Sequence, residues 1–207
     1  IEFIDDIFNV KAKDFKQFFK LVLKHKLKLN FFFPSALKGD LLDQEGIDLM
    51  IEAGGLGVNI SLESGSSRMQ KVMRKNLDLD KFYNNASYIV DKYPHVVLGL
   101  NAMHGFPTET EKEAMMTLNF IKELKWIHFP YLLTVRAFPN TEIEKFAREQ
   151  GVPDEIIKKS QDLSYEDTAP SLTFSQDFTK AVKTMFLKDY VLNKERLKSV
   201  LPNQFKY

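Results

Sequence analysis

The sequence contains no cysteine in 207 residues. Disulfides are excluded, and so are thiolate ligands for zinc or an iron–sulfur cluster among these residues. Net charge is almost absent: 29 Lys and Arg against 28 Asp and Glu leave +1. That balance offers no field to gather nucleic acid, and no nucleic-acid partner is expected. Lys11, Lys13, Lys16, Lys20, Lys24, Lys26 and Lys28 do cluster, but at helical spacing they read as a solvated face. No apolar run approaches the ~20 residues of a membrane span, and no signal peptide is visible. Internal repeats and low-complexity linkers are also missing. Phenylalanine, by contrast, is abundant, with 18 residues, so an aromatic-rich core is expected. The chain is long enough for one sizeable core. It opens at Ile1, directly in an apolar strand, and so reads as a piece of a longer protein.

The most informative stretch is Gly57 to Ser66. Val58, Ile60 and Leu62 alternate with Asn59, Ser61 and Glu63, the two-residue period of a strand. Ser64-Gly65-Ser66-Ser67 ends it and supplies caps for a following helix. Further strands are predicted at Ile1–Ile4, Leu27–Phe33 (closed by Pro34), Val96–Met103 and Phe129–Val135. Helical periods lie between them: from about Asp14 with Phe15, Phe18, Phe19 and Val22; after Asp43 with Ile47, Met50 and Ile51; from Ser66 to Lys75 and Leu79 to Tyr93; after Thr108, which has capping-box spacing to Glu111; and after Asn140 or Thr141, ending at Gly151 and Pro153. The span 161–174 reads as polar and irregular, and a last helix carries Phe178, Ala181, Val182 and Met185. The fold class is therefore α/β, with five βα units and a parallel sheet. An open barrel segment and a doubly wound sheet both fit. The expected division is a barrel over residues 1–151 and a helical extension over 152–207.

Parallel strands put their carboxyl ends on one side, where such folds place their chemistry. That rim collects Asp5 and Asp6, Pro34 and Ser35, Ser61 and Glu63, His104 and Gly105, and Arg136 to Pro139. Glu63 has a plainer reading as a cap or a lysine partner, His104 as a core histidine, and Arg136 as a partner of Glu142. Carboxylates beside hydroxyls suit an ammonium and ribose hydroxyls. No G-x-G-x-x-G or P-loop is present, and no histidine spacing supports a metal.

Four stretches in order, Phe3-Ile4-Asp5-Asp6-Ile7-Phe8, Ala53-Gly54 with Ser61 to Ser66, Gly99 to Thr110 ending in Gly105-Phe106-Pro107-Thr108-Glu109-Thr110, and Ala137 to Thr141, resemble the radical S-adenosylmethionine enzymes. The likeness covers about Ile1 to Gly151. It is nearest to the cobalamin-binding branch that includes the anaerobic magnesium-protoporphyrin IX monomethyl ester oxidative cyclase. The resemblance implies a partial, open TIM-type barrel of six βα units, five of them here, followed by a C-terminal helical tail. It implies a [4Fe–4S] cluster on a Cys-x-x-x-Cys-x-x-Cys loop in the first unit, expected upstream of Ile1. It implies S-adenosylmethionine, cleaved by one electron to give a 5′-deoxyadenosyl radical, with cobalamin in its own branch. Cyclase and methyltransferase outcomes both belong to it. So do a small-molecule substrate, an electron donor such as flavodoxin or ferredoxin, and a cytoplasmic location. The chain is expected to be inactive without the cluster.

Carried over by position, the resemblance places Asp5 and Asp6 near the methionyl ammonium. Ser61 and Glu63 fall at the methionyl or ribose end, and Lys75 faces the methionyl carboxylate. Met103, His104 and Gly105 line the adenine, with Ala137 and Phe138 closing over it. Two positions depart from the family pattern: Thr108 and Asn140 each stand where glycine is usual. Two other readings of the rim remain open, an acid–base barrel enzyme acting on a small anionic metabolite and a non-catalytic binding module.

Overall fold

In a computed structural model of the chain, residues 1–162 and 170–204 are described. Residues 163–169 of the expected irregular span 161–174 thus fall outside them, and 170–174 carry no helix or strand. Four parallel strands are hydrogen-bonded in chain order: β1 (Phe31–Leu37), β2 (Gly55–Glu63), β3 (Val97–His104) and β4 (Phe129–Thr134). Every crossover joins neighbouring strands. A doubly wound sheet reverses its order at a switch point, so the sequential order selects the open, partial TIM-type barrel. The expected fifth strand at Ile1–Ile4 is reduced to one parallel bridge, Glu2 with Phe32. It is held by Phe3 N–H to the Phe32 carbonyl and Phe32 N–H to the Ile1 carbonyl, both 2.9 Å. Ile4 is 78% exposed beyond it.

Helices cover one face of the sheet. On β2, Val58, Ile60 and Leu62 point into the core, as the alternation predicts, and Leu98, Leu100 and Ala102 of β3 continue that layer. Facing them are α1 (Ala12–Lys24), α2 (Gln44–Glu52), α4 (Leu79–Lys92) and α5 (Glu111–Glu123). Asp43 caps α2 by accepting from Gly46 N–H at 2.8 Å, and Asp78 caps α4. The lysine face of α1 is solvated and partly paired: Lys16 binds Asp43 and Glu45, and Lys20 binds Glu45.

The abundant phenylalanine has a local purpose. Phe18 and Phe19 of α1 meet Phe31 of β1, Phe19 also meets Phe33, Phe15 packs on Phe19 and Phe8, and Phe3 and Phe8 join the same cluster. Aromatic pairs of this kind add about 0.5–1.5 kcal/mol each beyond their buried area. They pin Phe3 and Phe8, so the loop between them is held at the carboxyl end of the sheet.

Several boundaries differ from the sequence expectation. β1 begins at Phe31, not Leu27, and runs through Pro34 instead of stopping there. Pro34 is tolerated because the register jumps between Phe33 and Leu37, and proline in sheets sits at such bulges. The capping box is Thr110 with Glu113, two residues later than expected. An additional helix, α7 (Asp154–Ser160), follows α6 (Glu142–Glu149). The tail comprises α8 (Gln176–Met185), a π-helical turn over Phe186–Val191, and α9 (Lys194–Gln204). It packs against the barrel core through Val182 and Tyr190. No helix among the described residues is long and apolar enough to cross a membrane.

Candidate functional site

β1 and β2 both end in irregular backbone. Ala36 has φ +71° and Glu63 has φ +63°, a left-handed conformation that costs non-glycine residues about 1 kcal/mol or more. One extra residue in β2 between Ser61 and Glu63 accompanies the second. The loop beyond is tightly held: Gln70 Nε2 donates to the carbonyls of Leu62 (2.7 Å) and Ser64 (2.6 Å). Gly65 lies so close to α5 that a Cβ would sit 2.9 Å from the Met116 carbonyl oxygen. Ser66 caps the short helix α3 (Ser67–Val72). The Ser64-Gly65-Ser66 turn is thus a structural brace, and Glu63 is the residue it leaves facing the mouth.

There a cavity of about 360 Å³ opens, lined by Asp6, Ser35, Ala36, Lys38, Ser61, Glu63, Arg74 and Lys75, with Ile7, Leu37 and Leu77 as its apolar wall. Glu63 is buried to 8% exposure, and its Oε1 lies 3.0 Å from Lys75 Nζ. Asn9, itself buried, fixes the opposite wall: its Nδ2 donates to the Lys38 carbonyl (2.8 Å) and its Oδ1 accepts from Lys38 N–H (3.0 Å). This clamp carries Asp6 over the cavity.

Of the ten expected residues, Asp6, Ser61, Glu63 and Lys75 line this one cavity. Asp5 is exposed beside it. Met103, His104, Gly105, Ala137 and Phe138 lie at the ends of β3 and β4 and do not line it. His104 is fully buried, with Nε2 3.5 Å from Thr134 Oγ1 and its ring stacked on Phe174. Met103 packs on a second small core that contains Ala137, Val135, Ala147, Ile157 and Leu172. Phe138 is 42% exposed. Arg136 donates to the Asp162 carbonyl, not to Glu142, which pairs with Arg74 at 3.0 Å.

Sequence reasoning did not single out Asn9, Lys38 or Arg74 for the site. Arg74 stands next to Lys75, and both Arg74 and Asn76 have positive φ, a local turn that aims both cations. Glu109 was also passed over. Its Oε2 accepts from the N–H groups of Gly105 (2.6 Å) and Phe106 (3.1 Å), which ties down the turn after β3. Burial pushes its carboxyl up to about 7 against those two hydrogen bonds. Glu113 is the opposite case. Arg68, at 2.6 and 2.8 Å, together with Thr110 and Ser66, holds it down at about 2.

Comparison with known proteins identifies the family. The family model of the radical SAM superfamily matches residues 9–121, and the chain belongs to that superfamily. Among curated proteins it is similar to the tRNA-2-methylthio-N(6)-dimethylallyladenosine synthase of Clostridium botulinum, 33% identical over 103 residues, which is 49% of this chain and 22% of that protein. The synthases of the same name from Helicobacter hepaticus and Chloroherpeton thalassium are each 28% identical over 121 residues. These alignments take in 52% and 57% of this chain, and 26% of each relative. The matched part therefore spans about a quarter of the relatives' length.

The residues present fit S-adenosylmethionine at its amino-acid end: two carboxylates, three cations and two hydroxyls converge on the cavity. They do not fit the [4Fe–4S] cluster. The chain has no cysteine, and the described residues contain no group of His, Asp and Glu able to hold a metal ion.

Proposed function

We propose that this chain is the S-adenosylmethionine-binding part of a radical S-adenosylmethionine enzyme. The carrying observation is the cavity that brings Asp6, Ser61, Glu63 and Lys75 together at the carboxyl ends of β1 and β2. In this reading Asp6 and Glu63, backed by Asp5, take the methionyl ammonium. Lys75 swings from Glu63 to the methionyl carboxylate, with Arg74 and Lys38 beside it. Ser61 serves the ribose. Met103, His104, Gly105, Ala137 and Phe138 form the adenine side. Bound S-adenosylmethionine, given one electron from outside these residues, would break its sulfonium C5′–S bond to methionine and a 5′-deoxyadenosyl radical able to abstract hydrogen. The cluster's thiolates lie outside these residues, and the partner of the enzyme would be a one-electron donor such as flavodoxin or ferredoxin. Residues 1–151 form the barrel, and 152–207 extend it. A cytoplasmic location belongs to the same proposal.

The finer proposal is a cobalamin-branch enzyme acting on a small molecule as a cyclase or methyltransferase, supported by the four ordered sequence stretches. A second reading follows the relatives' names and makes a tRNA nucleoside the substrate. The net charge of +1 weighs against it. Retention of tRNA by the chain at about 150 mM salt, where only substantial phosphate contacts survive, decides between them.

The direct test is calorimetry with S-adenosylhomocysteine, a stable analogue. Glu63→Ala and Lys75→Ala are each expected to weaken binding by about tenfold, the value of one charge-assisted contact. Unchanged affinity in both removes the cavity from the site.

A further inference from the structure

The segment that follows the barrel touches the adenine-side rim with four consecutive residues. Ser171 lies over Gly105, so close that a Cβ on Gly105 would meet its Oγ at 2.5 Å. Leu172, 3% exposed, completes the small core on which Met103 and Phe106 pack, beside Ala137. Thr173 Oγ1 donates to the Glu109 carbonyl at 3.5 Å. Phe174 stacks on His104, 6.4 Å between centroids and 14° between planes, and is braced from behind by Phe178 at 4.9 Å. The segment is itself pre-formed, since Ser171 Oγ accepts from the N–H groups of Thr173 (3.3 Å) and Phe174 (3.1 Å). The end of α7 adds a second hold: Ser160 Oγ accepts from Ala137 N–H, and Gln161 Nε2 donates to the Ala137 carbonyl. The residues that make these holds, Ser160, Gln161, Ser171 to Phe174 and Phe178, lie beyond the part of the chain matched by the family model, whereas the turn after β3 lies within it.

The geometry points to Ser171–Phe174 as a positioning strap for the turn after β3, a determinant of cofactor affinity supplied by the tail and not by the barrel. It rests on the proposed cofactor site. Its physical basis is that Gly105, at φ +84°, has no side chain of its own to fix it. The turn is held from one side by Glu109 and from the other by the strap. Loss of either wall frees the Gly105 and Phe106 amides. A strap residue therefore acts through the turn and touches neither cofactor nor substrate.

The experiment uses the 207-residue chain with hydrogen exchange and calorimetry side by side. Phe174→Ala and the milder Thr173→Val are expected to speed exchange of the Gly105 and Phe106 amides by about tenfold or more. They should weaken S-adenosylhomocysteine binding several-fold, with Phe174→Leu restoring most of both. Arg196→Ala, which loosens the tail far from this rim, should lower the melting temperature and leave both readouts alone. Unchanged exchange at Gly105 and Phe106 in folded Phe174→Ala and Thr173→Val overturns the strap, as does an equal response in Arg196→Ala. The exchange readout needs no ligand. If the unaltered chain fails to bind the analogue, the cofactor site falls while exchange still decides whether the strap holds the turn.

Discussion

Thr108 occupies a backbone conformation that suits glycine. Its φ is +72°, and a β-branched side chain there crowds the preceding carbonyl at a cost of about 1–2 kcal/mol. Asn140, the other position where glycine is usual in the resembled family, also has a positive φ, +63°, but asparagine tolerates it far better. Both departures keep the turn and differ only in strain. Thr108 is held in place because Arg68 donates to its carbonyl at 2.7 Å. Thr108→Gly should therefore stabilise the chain by about 1 kcal/mol, seen as a higher urea midpoint at constant slope; a lower midpoint would show that the threonine is unstrained. One residue on, Glu109 is expected to set a pH dependence. Its folded pKa is raised to about 7 from 4.5. Between those values the unfolded chain is ionised and the folded chain still binds the proton. Stability thus falls as pH rises through that window and stays low above it. Glu109→Gln should remove the slope, worth up to about 3 kcal/mol, in melts run from pH 4.5 to 8. An unchanged slope would mean that the carboxyl is ionised throughout.

At the scale of elements, α3 and α5 are joined through one carboxylate. Glu113 is the capping-box partner of Thr110 and also receives Ser66 Oγ and the Arg68 guanidinium. Glu113→Ala leaves a buried hydroxyl and a cation without their acceptor and should cost about 3 kcal/mol in denaturant unfolding. A loss under about 0.5 kcal/mol would show that solvent replaces the pair. The stabilisation is expected at neutral pH. With the folded pKa at about 2, it fades as pH drops below 4.5 toward 2. This brace explains what the sequence made readable and what it hid. Ser64-Gly65-Ser66 is visible as a strand end and cap, because that chemistry is local. Glu113 sits 47 residues from Ser66, and no local pattern connects them. Similarly, the alternation of Val58, Ile60 and Leu62 marks a core-facing strand at sight, whereas the start of β1 is set by its neighbour: Phe31 N–H finds the Gly54 carbonyl at 2.8 Å. Leu27 to Asn30 alternate equally well and lie outside the strand. Helix α7 lacks a side-chain cap, the very signal that reveals a helix start. In the site, Glu63 and Lys75 could be named from the motif that carries them. Asn9 could not, since its task is a backbone clamp on a loop 29 residues away.

At the scale of the whole molecule, the tail closes the end of the barrel opposite the site. Arg196, 3% exposed, donates from Nε and Nη2 to the Ile127 carbonyl (3.0 and 2.8 Å), from Nη2 to the His128 carbonyl (2.7 Å) and from Nη1 to Val191 (2.8 Å). Tyr190, stacked near that guanidinium, donates to the Leu124 carbonyl (2.8 Å) and accepts from Ile127 N–H (3.1 Å). Burial pushes its phenol up to about 12, so it keeps its proton. These bonds satisfy the backbone that enters β4, and buried carbonyls without donors are costly. His128, next in line, is held down at about 4 by burial and by the Arg196 charge. It stays neutral at pH 7 and accepts from Leu98 N–H at 3.2 Å. The tail and the entry to the last strand are therefore one hydrogen-bonded unit. Trp126, the single tryptophan, lines the same cavity as Ser199 and Val200 of α9 and so serves as a probe of that docking. Unfolding followed by tryptophan fluorescence and by far-ultraviolet circular dichroism should coincide in one transition. Arg196→Ala should move both probes together by about 3 kcal/mol. If fluorescence shifts alone, while the helical signal keeps its midpoint, α9 undocks without cost to the sheet, and the tail is a separate folding unit joined to the barrel only through its strap.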